Sequence, residues 1–154
     1  MASFDAKLDL ASAFAGLDQL QATATEAARP AAQAGAQVFY NEVKLNVSRI
    51  GRVTGNLDSS IYQVFSKDNS TPVSATYHIS WNHRKAPHGH LVEFGHIQTR
   101  KVYIGSDGNW YTSKTLLDAP KQVGARPFVR PAYDAKAQLA LEAARAKWLE
   151  IVGA

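Results

Sequence analysis

From Phe4 to Val47 the chain is dominated by Ala, Leu and Gln with one proline, Pro30, and a run of that kind favours helix over any other structure. A helical region over residues 4–50 is expected, with Ser3 as N-cap and Asp5 in the first turn. Proline has no amide hydrogen and its ring collides with the carbonyl four residues back, so Pro30 should kink this helix or split it in two. Before the proline, Leu10, Phe14 and Leu17 recur at helical spacing; after it, Ala32, Ala36, Phe39, Val43 and Val47 mark one face. The small residues Ala31, Ala32, Ala34, Gly35 and Ala36 let a second backbone come close, from the same chain or from a neighbouring subunit.

Gly51 and the Thr54-Gly55-Asn56 turn end the helical region, because Gly and Asn tolerate the left-handed conformations that turns use. Ile61, Tyr62, Val64 and Phe65 form a candidate strand, Asp68 to Pro72 a turn, and Val73 to Trp81 a second strand, together an antiparallel hairpin. A short helical or irregular piece covers His90 to Phe94. Val102, Tyr103, Ile104 and Trp110, Tyr111, Thr112 flank Gly105-Ser106-Asp107-Gly108-Asn109, a second hairpin signal. Over 131–152, Tyr133, Ala137, Leu141, Ala144, Trp148 and Ile151 recur at steps of three and four, while Asp134, Lys136, Glu142, Arg145, Lys147 and Glu150 fall mostly elsewhere. Pro131 opens this amphipathic helix and Gly153 follows it.

The 154 residues fit one domain, and 45% hydrophobic with 19% charged residues is a globular composition. The expected fold is α+β: a small antiparallel β-sheet within 57–96, packed against a long N-terminal helix and a C-terminal amphipathic helix, with an extended hairpin arm over 97–126. The absence of cysteine excludes disulfides, thiolate catalysis and Cys-type zinc sites. No run approaches the apolar length of a membrane span. Asp5, Lys7 and Asp9 interrupt the apolar residues near the start, so no signal peptide is expected and the chain is placed in the cytoplasm or in a particle assembled there.

All five histidines, His78, His83, His88, His90 and His96, fall within nineteen residues, with Glu93 among them. A His-x-His pair on a strand could begin a zinc site and so a metal-dependent hydrolase, but Pro87 and Gly89 make this stretch poor strand, and the H-E-x-x-H spacing is missing. Neither a nucleophile elbow nor a phosphate-cradling glycine loop is present. No catalytic, cofactor-binding or metal-binding residue is expected. The net charge of +4 lies in the C-terminal two-thirds: residues 51–154 carry thirteen basic and eight acidic side chains. Arg84, Lys85, Arg100, Lys101, Lys114, Lys121, Arg126 and Arg130 make a basic window over 84–130 that would suit a DNA-binding protein or a partner-facing surface.

Three collinear pieces carry a family resemblance. VTGNLDSSI at 53–61, HLVEFGH at 90–96 and ARPFVRPAYDA at 125–135 resemble the signature stretches of the gp-ten-like family of siphophage neck and tail-completion proteins. The motif positions are Thr54, Gly55, Leu57, Ser60, Ile61, Val92, Glu93, Phe94, Gly95, Arg126, Pro127, Phe128, Arg130 and Pro131, and the likeness spans about residue 8 to the C-terminus. It implies a small antiparallel sheet with helices against it, and a non-catalytic role in joining or finishing the tail. The virion, at the head-tail connector or tail end, is the place it implies. Head-to-tail contacts that close give a ring. Six- or twelve-fold symmetry is the expectation, with head-closure, tail-terminator or tail-tube proteins as neighbours and non-specific contact with packaged DNA.

The chain departs from the family between His96 and Pro127, where a compact connection is usual and thirty residues intervene. A connection of that length inside a small domain calls for a function. Val102, Tyr103, Ile104, Trp110 and Tyr111 are therefore read as an arm that reaches a neighbouring subunit; the alternative is a hairpin folded back on its own sheet. Elementary physics also speaks to the motifs. Gly55 and Gly95 allow turns closed to other residues, Pro127 and Pro131 should hold Arg126 and Arg130 extended, and Phe128 becomes an anchor. Glu93, among Leu91, Val92 and Phe94, is expected to pair with Arg126 or Arg130.

Overall fold

The computed structural model describes residues 10–51, 55–108 and 110–153, with the backbone alone at Ala13. Ser3, Asp5, Thr54 and Asn109, to which the sequence assigns a cap, a first turn, a motif and a hairpin tip, lie outside these residues.

Helix α1 spans Leu10–Ile50, 41 residues, with Pro30 inside it. At 1.5 Å per residue it is roughly 60 Å long. Of the expected kink or split at Pro30, the split does not occur. Proline leaves only the Glu26 carbonyl without its intrahelical bond, and Glu26 is exposed, so water can satisfy that oxygen. Ala27 and Ala31 on either side are buried, so packing favours continuing the helix through the proline.

A one-turn helix, α2 (Asn56–Ser60), leads into β1 (Ile61–Phe65), which pairs antiparallel with β2 (Tyr77–Trp81) from Ile61↔Trp81 to Phe65↔Tyr77. β2 begins at Tyr77 rather than Val73. Residues 71–74 fold on themselves instead, through amide-carbonyl bonds in both directions between Thr71 and Ser74. The short helix α3 (Gly89–Phe94) follows, then β3 (His96–Ile104), β4 (Trp110–Val123) and α4 (Arg130–Val152).

β3 and β4 form their own two-stranded sheet, separate from β1 and β2, so the second hairpin stands apart from the first sheet as expected. The hairpin is longer than its sequence signal: β4 alone has 14 residues, and the register slips between Gln98 and Val102. It packs chiefly on itself and is not folded back on the first sheet.

α4 lies antiparallel on α1. Its residues 140–144 face Gly35 and its first turn sits beside Asn46. A Cβ on Gly35 would stand 3.0 Å from the Ala140 carbonyl oxygen and 3.4 Å from the Ala144 Cβ, so the small residues of α1 serve close packing within the chain. The face α4 turns inward is only partly the expected one: Ala144 meets Gly35 and Ala137 and Ile151 are half-buried, but the most buried positions lie beside that stripe. Ala132 and Ala140 are buried and Lys136 pairs with Glu42 of α1 at 3.4 Å, whereas Tyr133, Leu141 and Trp148 remain exposed. Two backbones this near favour small residues between them, so the buried centre of the stripe shifts toward Ala132 and Ala140. Tyr133 keeps one contact, stacking on Phe39 at 5.6 Å.

The core lies at the C-terminal half of α1. Val43, Val47, Ile61, Phe128 and Ala132 form its buried centre, with Tyr40, Leu57, Ile79, Trp81, Val92 and Val129 around it. Among the described residues no helix is long and apolar enough to cross a membrane.

Candidate assembly site

The three sequence motifs meet at one point. Phe128, fully buried, stands edge-on to Trp81 with ring centroids 5.7 Å apart and packs with Ile61 from the first motif. Beneath it the buried carboxylate of Glu93 accepts three backbone amides: Phe128 at 2.7 Å and Val129 at 3.1 Å on Oε2, and Arg130 at 3.2 Å on Oε1. A helix start leaves its first amides without intrahelical partners, and Glu93 takes those that lead into α4. Pro131, next in line, has no amide to satisfy. The negative charge also faces the positive end of the helix dipole.

This geometry corrects two expectations. Glu93 pairs with backbone amides rather than with the guanidinium of Arg126 or Arg130. Arg130 begins α4 and is not held extended, because satisfied amides outweigh the mild preference that Pro131 imposes on the residue before it.

Around this centre the remaining motif residues hold backbone. The Arg126 amide donates to the Val92 carbonyl at 2.8 Å, and the Arg126 guanidinium reaches the Ile50 carbonyl at the end of α1 at 3.4 Å. Asn46, not singled out by the sequence, donates to the Phe128 carbonyl at 3.1 Å. Ser60 is buried; its hydroxyl donates to the Leu57 carbonyl at 2.7 Å and its own carbonyl accepts the Asn82 amide at 2.9 Å. Gly55 caps α2 at φ 75°, and Lys44 of α1 ties that helix down through Asp58 at 2.7 Å. Pro127 and Pro131 line an open cleft of about 400 Å³ with Asn46, Arg49, Ile50 and Arg126. Phe94 does not join the apolar contacts: it is exposed.

Gly95 turns the chain from α3 into β3. Its φ is 72°, and a Cβ there would meet the Val123 carbonyl oxygen at 2.7 Å, so the hairpin leaves the body through a position that only glycine fits. Beyond this root the arm residues Val102, Tyr103, Ile104, Trp110 and Tyr111 are all 44–55% exposed. Tyr103 and Tyr111 stack at 5.9 Å on one face, and the Tyr111 hydroxyl donates to Asp107 at 2.6 Å.

The histidines spread over several elements: His78 on β2, His83 and His88 in the loop after it, His90 on α3 and His96 on β3. Among the described residues no group of three or more His, Asp or Glu is arranged to hold a metal ion. Burial, and next the neighbouring His90, hold His88 below its ordinary pKa.

A family model described as "Bacteriophage HK97-gp10, putative tail-component" matches residues 14–95, over half of the chain. The matched stretch takes in most of α1, the first sheet and α3, and ends at Gly95, where the hairpin begins. No curated protein and no solved structure matches the chain significantly.

Proposed function

Since the chain belongs to the bacteriophage HK97-gp10 family of tail components, we propose that it is a structural, non-catalytic virion subunit. In this reading it forms a ring at the head-tail connector or the tail-completion position of a siphophage. Its partners are further copies of itself and a head-closure, tail-terminator or tail-tube protein.

The observation that carries this reading is the join at Glu93. The matched region supplies Glu93, and the residues it holds, Phe128 to Arg130, lie beyond that region. The motifs thus serve to join the two ends of the body, as a structural part requires. The arm, rooted on that body and largely exposed, is suited to contact with a neighbour.

An amber mutation of the gene in the phage that carries it tests the reading. Electron microscopy should show filled heads and tails that are unjoined or unfinished, and adding purified protein to the extract should restore infectious particles. Normal particles without the protein would refute it.

A further inference from the structure

Besides the outer face of α4, with Tyr133, Leu139 and Leu141, two apolar surfaces of the described residues are uncovered. The first is the free end of α1. Beyond Ala144, α4 has about 12 Å of helix left, which brings its end level with Ala27. N-terminal to that level α4 no longer covers α1, and Leu10, Phe14, Leu17 and Leu20 are 55–61% exposed. Steps of four, three and three place them in one stripe.

The second surface is on the outer half of the β3–β4 hairpin. Ile104 pairs with Trp110 and Val102 with Thr112, so Val102, Ile104 and Trp110 share one face; each is 45–55% exposed. An isolated two-stranded hairpin is marginal in water, and so is a lone helical end.

Within one chain neither surface can cover the other. The hairpin is rooted beside Glu93 and Phe128, at the level of Asn46. From His96 to Ile104 it reaches about 26 Å. Phe14 lies about 48 Å along α1 from Asn46. Among the described residues neither surface is covered, and a second molecule is the occupant considered for each.

Charge selects which one. From Leu10 to Ala28 the only charged residues are Asp18 and Glu26, both exposed. The hairpin carries exposed Arg100, Lys101, Lys114 and Lys121 against Asp107 and Asp118. Pairing helix end with helix end sets acid against acid, and pairing arm with arm sets base against base. Arm on helix end unites opposite charges.

We propose that the Val102, Ile104 and Trp110 face of one copy docks on the Leu10, Phe14, Leu17 and Leu20 stripe of the next. This deepens the ring reading above and rests on it, since a contact between two different surfaces is heterologous and propagates until it closes.

The test uses the full chain and sedimentation velocity. One double variant carries Phe14→Asp and Leu17→Asp, the other Ile104→Asp and Trp110→Asp; all four side chains are more than half exposed, so circular dichroism and melting stay as in wild type. Wild type should assemble, more weakly as salt rises. Each variant alone should assemble at least tenfold more weakly, and an equal mixture should form a dimer and stop there, because each pair then has one intact arm and one intact helix end. Assembly of either variant alone like wild type, or a mixture that stays monomeric, overturns the contact. Wild-type rings alongside unaffected variants would overturn the contact and leave the ring reading standing, whereas wild type that stays monomeric at every concentration overturns both.

Discussion

The carboxylate of Glu93 accepts the amide of Phe128 at 2.7 Å, joining α3 to the start of α4 across 35 residues of chain. Val129 and Arg130 donate to the same side chain, so its removal strands three amides in a part-buried site. Hydrogen bonds to a charged group contribute about 1.5–3 kcal/mol each, and they are not additive when they share one acceptor. Glu93→Ala should cost roughly 3 kcal/mol or more in urea unfolding, and Glu93→Gln, which keeps one carbonyl oxygen, should recover part of it. An Ala variant within about 1 kcal/mol of wild type would mean that α4 is started by something else.

Phe128 is the largest fully buried side chain, set against Trp81 and Ile61. Truncating a buried Phe removes its transfer free energy and leaves a cavity, so Phe128→Ala should cost about 3–5 kcal/mol. Phe128→Leu should cost clearly less. A denaturation midpoint unchanged by the Ala substitution would place Phe128 outside the monomer core.

Gly35 sets two effects against each other. Alanine is favoured over glycine in a helix by about 1 kcal/mol. A Cβ here meets the Ala140 carbonyl oxygen at 3.0 Å, and backbone cannot swing aside as a side chain does. Gly35→Val should therefore destabilise by about 1–3 kcal/mol through overpacking between α1 and α4. Thermal melting of the variant decides it: a raised midpoint contradicts the close approach.

Burial, with a smaller contribution from His90, holds His88 below its ordinary 6.5. The unfolded chain then binds a proton more readily than the folded one as pH falls through that value, so the folded state loses stability on acidification and keeps it above. Between about pH 7 and pH 5, His88→Asn should make the fall in stability shallower. An equal slope in both proteins would mean that the fold does not lower the pKa of His88.

Much of this fold was legible because the signals were local. The Ala-rich run over α1, the β-branched and aromatic residues of β1, and the Gly-Ser-Asp-Gly tip of the second hairpin each report on their own neighbourhood. What escaped depends on partners distant in sequence. Pro30 reads as a break until α4 is seen lying along Ala27 to Gly35. The inward face of α4 reads as Tyr133, Ala137, Leu141, Ala144, Trp148 and Ile151; the closeness of α1 keeps Ala144 against Gly35 but buries Ala132 and Ala140 in place of the large side chains. Glu93 sits among charged candidates in the sequence, yet backbone amides some 35 residues away claim it. Asn46 gave no signal, since an Asn in a helix does not announce the carbonyl it will hold.

The central claim is that the hairpin serves assembly and not the stability of the body, and deleting residues 100–118 with a short Gly-Ser link tests it most directly. The account predicts that the shortened chain keeps its helical circular dichroism and cooperative melting, while rings vanish in electron micrographs and the protein no longer restores unfinished tails. Rings that form as in wild type would contradict it.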